Sequence, residues 1–394
     1  MTKRIAHIHL GGGAHAASLF PGAENGQDDI TQIHPSAPNL KALVDRGLVH
    51  AIMCTGPENP TASHFEMSRI IQDRGNFITG ETGEGWGDYA LAATFPGLPL
   101  AGVTVHNNVL MRVLQGGRSS CIALAANMII TEGFNIDAMI QAATVADDLD
   151  EYWRDIYVTN MGAAAEAGAI DLNFAALGQS MAEVLAENPD IKMVTGEVVG
   201  FDTHNNHNQQ FAGAIGRFDA SLGELARSCG WLDMPDGDMA LPYPLLDPED
   251  EVLLIVTTEF SRDYIWTSGD GLSHGRGGFT MIIGRGVKPG FTGSLPSPSY
   301  QVERMLGNGR TLPIDYPTER VILGFLQAAD WQTEGLFTKD YAPLEGMFLT
   351  DGEPVPVPEP LEPVPEPEPA KTDHDLLVGI DARLSALDAW LRRP

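Results

Sequence analysis

Residues 200–207, Gly-Phe-Asp-Thr-His-Asn-Asn-His, place one carboxylate, two imidazoles and two amides in the space of a turn. Asp202 can share one divalent cation with His204, two residues later, or with His207, five residues later. Each of these groups would be costly to bury without a partner. The alternative is an aspartate-capped turn whose polar groups are satisfied within the protein, and these residues alone do not decide between the two.

Two other polar segments follow predicted strands. An alternating strand over 5–10 breaks at three glycines, 11–13, and His15 lies just beyond them as a candidate ligand. Residues 251–257 (EVLLIVT) predict a buried strand that is followed by Glu259 and Arg262. Because ligands of open α/β sheets bind beyond the carboxyl ends of the strands, these side chains are candidates for a site.

Ser63 has two interpretations. With Glu66 three residues later it forms a capping box, which predicts the start of a helix. A hydroxyl at a helix N-terminus also lies where backbone N–H groups favour an anion. Ser63 is therefore also a candidate nucleophile facing a phosphate or sulfate.

Apolar strands alternate with amphipathic helices along the chain, which predicts an α/β fold with a mostly parallel central sheet and helices on both faces. The predicted strands lie at 5–10, 48–54, within 96–106, and at 191–194, 251–257 and 279–284. Helices are predicted before 45, from 63, from 85, and over 134–146, 174–187, 211–229 and 318–331.

The composition divides the chain into three parts. Residues 1–350 form the α/β domain, and residues 351–371 are a Pro/Glu-rich linker that cannot build a core. Residues 372–394 predict a helix with a two-heptad apolar seam. Because so short a helix is marginal alone, we expect it to form a homo-oligomer or to dock onto a protein partner. A helix folded back on its own domain is the alternative.

Charge and composition exclude several partners. The net charge of −29, from 53 acidic and 24 basic residues, disfavours binding to nucleic acid or to an anionic membrane surface. The three cysteines form neither a disulfide framework nor a metal-binding pair. With neither a signal-like segment nor an apolar run of roughly 18 residues, a cytoplasmic location is expected.

Three ordered segments carry a family resemblance: Gly-Phe-Asp-Thr-His at 200–204, Thr-Thr-Glu-Phe-Ser-Arg at 257–262 and His-Gly-Arg-Gly-Gly at 274–278. Together they resemble a bacterial family of sulfatase-like proteins, domain of unknown function 1501. Ser-His-Phe-Glu at 63–66 and the strand with glycines at 5–13 agree with its first half, so the resemblance covers roughly residues 3–292. The family looks like a branch of the alkaline phosphatase and sulfatase superfamily, whose α/β members hydrolyse or transfer phosphate or sulfate esters at one or two metal ions.

The resemblance implies roles for individual residues. Asp202, with His204 or His207, would bind a first metal ion, and His274 resembles the later histidine that completes this set. Glu259 stands at a strand end where the superfamily usually has an Asp-His pair. Ser63 lies where the nucleophile is expected.

The chain departs from the family pattern at two positions. Ala14 and His15 follow the glycines where the family has an aspartate, so a second metal ion loses a carboxylate unless His15 or Glu84 replaces it. Phe260 stands in place of a histidine ligand. A two-metal clamp is therefore incomplete, and a degenerate site with a single metal ion is expected.

Two functions follow from these observations. The first is metal-dependent hydrolysis of small anionic phosphate or sulfate esters, with Arg262 or Arg276 binding the anionic group bidentately. Histidine and carboxylate ligands suit zinc or manganese better than calcium. The alternative is a non-catalytic structural or assembly subunit that keeps the fold and multimerises or docks through residues 372–394.

Overall fold

A computed structural model of the chain describes residues 2–21, 32–58, 60–61, 63–74, 84–98, 100–107, 110–124, 177–233, 246, 251–266, 270–295 and 313–349. The helix predicted at 134–146, the Pro/Glu-rich linker and the C-terminal helix lie outside these residues.

Eleven strands are present in this part of the chain. They are β1 (Arg4–Gly11), β2 (Val49–Gly56), β3 (Gly102–Val105), β4 (Cys121–Leu124), β5 (Met193–Val199), β6 (Val252–Thr258), β7 (Arg262–Trp266), β8 (Leu272–His274), β9 (Gly278–Gly284), β10 (Gly290–Thr292) and β11 (Tyr316–Pro317). The six predicted strands correspond to β1, β2, β3, β5, β6 and β9. The predicted strand at 191–194 begins two residues late and continues to Val199.

The described helices are α1 (Ala16–Leu19), α2 (Pro38–Asp45), α3 (His64–Gln72), α4 (Trp86–Thr94), α5 (Leu177–Glu187), α6 (His207–Ser228) and α7 (Thr318–Ala328), with a 3₁₀ turn at Arg112–Leu114. Ser63 caps α3 as predicted, because its hydroxyl accepts a hydrogen bond from the Glu66 N–H at 3.4 Å. The Ser63 N–H donates to the Thr61 hydroxyl, at 3.2 Å, rather than to the Glu66 side chain as in a complete capping box. Helix α6 begins at His207, four residues before the predicted start, so it includes the end of the polar stretch at 200–207.

Nine strands form one sheet, and the α/β fold class is confirmed. The strand order is β10-β2-β9-β6-β1-β5-β3-β4, with β11 pairing with β2. Strand β1 lies at the centre and pairs in parallel with β5 and β6. Strand β9 is inserted between β2 and β6 and runs antiparallel to both. A separate antiparallel hairpin pairs β7 with β8.

Both faces of the sheet are covered. Alternate residues of β6 enter different apolar clusters, with Leu254 and Val256 in one and Leu253 and Ile255 in the other. The first cluster contains residues of α2, α5 and α6, and the second contains residues of α4 and α7. Burial on both faces explains why β6 and β9 are apolar almost without interruption. Among the described helices, none is both long and apolar enough to cross a membrane.

Candidate metal centre

The candidate site lies at one edge of the sheet, where several segments converge. Because β1, β5 and β6 are parallel neighbours, the segments that follow them meet at the same edge. The segment that precedes β9 reaches this edge as well, since β9 runs in the opposite direction. Two backbone hydrogen bonds fix the convergence: Phe201 N–H to the Gly11 carbonyl at 3.2 Å, and Ser261 N–H to the Gly277 carbonyl at 2.7 Å.

Four potential ligand atoms meet at this edge, and all lie within 4.8 Å of one another. They come from His64, Asp202, His204 and His274. The Nε2 atom of His274 lies 2.7 Å from Nε2 of His204 and 3.0 Å from Nε2 of His64. Oδ1 of Asp202 lies 3.2 Å from His204 Nε2 and 3.4 Å from His64 Nε2.

These spacings fit one bound cation. Metal–nitrogen distances of 2.0–2.1 Å in a tetrahedral zinc site place neighbouring ligand atoms about 3.3 Å apart. The four contacts above span 2.7 to 3.4 Å, and the remaining two pairs of ligand atoms lie within 4.8 Å. Two imidazole nitrogens that face each other share at most one proton, so three of them converging with a carboxylate are better satisfied by a cation than by one another.

Glu259 fixes the orientation of the His64 ring. Its Oε2 accepts a hydrogen bond from His64 Nδ1 at 2.5 Å, which leaves the lone pair of Nε2 facing the cluster. Gly12 N–H also donates to this carboxylate, at 3.3 Å, and His9 Nε2 lies 3.8 Å away. Burial alone would raise the pKa of Glu259, but the hydrogen bonds from His64 and His9 outweigh it and lower the pKa to about 2. The carboxylate is therefore ionised.

Arg262 is fully buried and is bound to the protein on every side. Its guanidinium donates to the carbonyls of Gly12, Gly13 (3.2 Å) and Leu272 (3.2 Å), and to the Asp202 carboxylate. Its Nη1 also lies 3.4 Å from Nε2 of His204. Burial would raise the pKa of Asp202, but the hydrogen bond and charge of Arg262 outweigh this and lower it. Arg262 therefore holds Asp202 ionised and in place, and its donors are occupied by protein acceptors.

Phe260 forms an apolar floor beneath the cluster. Its ring centroid lies 4.8 Å from that of His64 and 4.9 Å from that of His274, and the side chain is fully buried. Gly13 allows this approach, because a Cβ atom there would lie 2.6 Å from the Phe260 ring. The cluster is accessible to solvent, since half of the Asp202 side chain is exposed.

The remaining predicted site residues are not among the four that supply these ligand atoms. His15 and His207 flank the hydroxyl of Ser18, at 2.7 and 3.0 Å. Ser63 caps α3 immediately before His64. Arg276 is exposed on the turn between His274 and β9.

His64 is the member of the cluster that the sequence analysis did not select as a ligand. In the sequence it lies inside the capping box, and its polar neighbours all have a role at the helix terminus. Its position after a strand could have identified it. The loop after β2 ends at the same sheet edge as the segments after β1, β5 and β6, and His64 follows that loop.

Comparison with known proteins finds similarity among solved structures but none among family models or curated proteins. No family model matches the chain, so the resemblance to domain of unknown function 1501 stays a prediction. No curated protein matches it either. Among solved structures, the integral membrane protein lipooligosaccharide phosphoethanolamine transferase A from Neisseria meningitidis aligns with 86% of this chain at 11% identity and a TM-score of 0.40. The alignment spans 56% of the transferase, so this chain corresponds to little more than half of that protein.

Two further solved structures are similar at the same level. The soluble domain of the same Neisseria transferase aligns over 85% of this chain and 90% of its own length, with 11% identity and a TM-score of 0.40. A protein of the alkaline phosphatase superfamily from Vibrio parahaemolyticus aligns over 80% of this chain and 69% of its own length, with 11% identity and a TM-score of 0.36. Similarity this low says nothing about the substrate or ligands of the present chain.

Proposed function

We propose that this protein binds a divalent metal ion at the edge of its sheet and uses it to hydrolyse or transfer a phosphate- or sulfate-like ester. The observation that carries the proposal is the convergence of three imidazole nitrogens and one carboxylate oxygen within 4.8 Å. The ordered segments at 200–204, 257–262 and 274–278, which resemble those of sulfatase-like proteins, supply the reaction class.

Zinc is the ion that the donor set favours. His64, His204 and His274 would bind it through nitrogen and Asp202 through oxygen, and a set dominated by imidazole suits zinc better than manganese or calcium. When bound, such an ion supplies Lewis acidity toward an ester oxygen or toward water. A single ion is expected, because Phe260 rather than a histidine lies beside the cluster.

The chain's own residues divide the remaining tasks. Glu259 orients the ring of His64, and Arg262 orients Asp202. A substrate reaches the site where the Asp202 side chain is half-exposed, since the Phe260 ring is fully buried. Of the two candidate arginines, Arg276 is the one we assign to the anionic group, since it is exposed and lies two residues after His274. Ser63 remains the candidate nucleophile, at the N-terminus of α3.

A non-catalytic role is the second candidate, and one observation favours it. Four protein ligands would fill the shell of a four-coordinate ion, as in structural zinc sites, whereas catalytic zinc sites keep a position for water or substrate. In this alternative the ion stabilises the fold, and residues 372–394 attach the protein to a partner or to copies of itself.

Elemental analysis of protein purified without chelator tests the metal site. We expect about one zinc ion per chain, lost in Asp202→Ala and in His274→Ala. His106→Ala is the matched control, because His106 is also partly buried but hydrogen-bonds to Ser180 away from the cluster. Absence of metal from the folded wild-type protein would refute the site.

Ester turnover separates the two candidate functions. The enzyme predicts release of p-nitrophenol from p-nitrophenyl phosphate or sulfate that stops on chelation and returns with zinc. Stoichiometric zinc without turnover of any phosphate or sulfate ester would favour the assembly role. In that case the oligomeric state should change when residues 372–394 are removed.

A further inference from the structure

A second cluster of reactive groups lies outside the metal centre, around the hydroxyl of Ser18. His15 Nδ1 lies 2.7 Å from Ser18 Oγ, and His207 Nε2 lies 3.0 Å from it. The other ring nitrogen of His207, Nδ1, lies 2.7 Å from the hydroxyl of Thr203. Ser18 is half-buried, whereas both imidazoles and Thr203 are buried.

One arrangement of protons satisfies all three contacts. His15 Nδ1–H donates to Ser18 Oγ, Ser18 O–H donates to His207 Nε2, and His207 Nδ1–H donates to Thr203 Oγ1. Serine, base and orienting group then follow one another as in nucleophilic hydrolases, with a threonine hydroxyl in the orienting position.

Both imidazoles are uncharged at neutral pH. Burial, followed by the charges of neighbouring groups that include Arg262, lowers the pKa of His207 to about 4 and that of His15 to about 3. A neutral imidazole accepts a proton, so His207 is in the form that a general base requires.

The surroundings favour an uncharged substrate. His207 borders an open cavity of about 420 Å³, lined also by Asn206, Asn208, Gln209 and Asp270. These side chains offer amides and one carboxylate but no cation. The nearby charge of Arg262 is paired with Asp202. The one formal charge among these lining side chains is the Asp270 carboxylate, which disfavours an anionic ester relative to an uncharged carboxylic ester.

We infer that Ser18 and His207 form a metal-independent nucleophilic site that cleaves uncharged carboxylic esters through an acyl-serine. Ser18 Oγ bonds to the carbonyl carbon and its proton passes to His207 Nε2. That proton moves to the alcohol oxygen as the carbon–oxygen bond breaks. Water, deprotonated by the same imidazole, then releases the carboxylic acid and restores the Ser18 hydroxyl. This inference does not depend on the proposed metal function.

An alkyl fluorophosphonate tests the site, because this uncharged reagent phosphonylates activated serines with loss of fluoride. We expect one label per wild-type chain, located by peptide mass spectrometry on Ser18 and formed at the same rate in the presence of EDTA. Replacing His207 by Gln should slow labelling about 10²-fold, the lower end of the effect of a general base. Ser18→Ala should abolish it.

Ser36→Ala is the matched control. Ser36 also lies near a histidine, but its backbone N–H rather than its hydroxyl contacts His34 Nδ1, at 3.1 Å. This variant should be labelled like the wild type. Four results would overturn the inference: an unlabelled wild-type protein, a label on another serine, a label that disappears with EDTA, or a folded His207→Gln variant that reacts at the wild-type rate.

Discussion

The Nδ1 atom of His64 and the Oε2 atom of Glu259 lie 2.5 Å apart, and this contact sets which nitrogen of His64 faces the ligand cluster. Because carboxylates that hold a metal-binding histidine raise its basicity and fix its ring, we predict that Glu259→Gln weakens zinc affinity 10- to 100-fold. Competition with a chromophoric chelator measures the change.

Glu84→Gln is the control for this prediction. Glu84 is a partly buried carboxylate that pairs with Arg74 and Arg118 rather than with a histidine. Its replacement should leave zinc affinity unchanged. Equal zinc affinities of Glu259→Gln and the wild type would show that His64 does not need this partner.

His204 and His207 are distinguished by the structure, although both suit the spacing of the polar stretch. His204 faces Asp202 and His274, whereas His207 faces Thr203 and Ser18. We therefore predict that His204→Ala loses the bound ion and that His207→Ala keeps one ion per chain. Elemental analysis of both variants tests this prediction. The opposite result would show that His207, at the start of α6, is the ligand instead of His204.

Gly12 couples the first strand to the site. Its φ is +108°, and a Cβ atom there would lie 2.3 Å from the backbone nitrogen of Asp202. We predict that Gly12→Ala lowers zinc affinity by at least about 10-fold, because the backbone of this ligand must move.

Gly97→Ala is the control for Gly12→Ala. It has the backbone strain of a positive φ without the steric clash. Gly97 has a φ of +82°, but nothing lies within 4 Å of a Cβ atom placed there. This variant should lose about 1–2 kcal/mol of stability in chemical denaturation, the cost of the left-handed region, and should bind zinc normally. A normal zinc affinity in Gly12→Ala would contradict the predicted coupling.

Burial of His7 is predicted to make the stability of the folded protein sensitive to acid. Its imidazole lies between the hydroxyls of Thr195 and Thr257, each 2.9 Å away. Burial, with a smaller effect of His9, lowers its pKa from 6.5 to about 3. The folded pKa is below the unfolded one, so the unfolded chain binds more protons between these values. The stabilisation is complete above pH 6.5 and is lost as the pH falls toward 3.

Denaturant unfolding of wild type and His7→Gln at pH 8 and pH 5 measures this contribution. At 1.36 kcal/mol per pH unit, the wild type should lose about 2 kcal/mol more than the variant between these conditions. If the free energies of unfolding of the two proteins changed equally between pH 8 and pH 5, folding would not lower the pKa of His7.

The central part of the fold was accessible from the sequence because burial on both faces leaves an apolar signature in β1, β2, β6 and β9. The direction of β9 was not accessible, since the pattern FTMIIG reads the same in a parallel and an antiparallel strand. The hairpin of β7 and β8 was missed because its short strands lack such a pattern.

The candidate site was accessible only in part, for a similar reason. Asp202, His204 and His274 stand out because each follows or precedes a strand by a few residues. The commitment of the Arg262 guanidinium to three backbone carbonyls depends on how distant loops meet. The local sequence does not show which loops come together in the fold. Arg262 was therefore one of the two arginines expected to bind the substrate.

The four ligand atoms come from three distant segments of the chain, with His64 and His274 separated by 210 residues. Closing so long a loop is entropically unfavourable in an unfolded polypeptide, so the ligand set exists only after the sheet has assembled. An ion that binds only the assembled state adds RT ln(1 + [L]/Kd) to the free energy of unfolding, about 2.7 kcal/mol at a hundredfold excess over Kd. A bound ion would thus stabilise the whole sheet against unfolding. Zinc starvation would lower the steady-state level of this protein, because its unfolded form would be more populated and would be degraded.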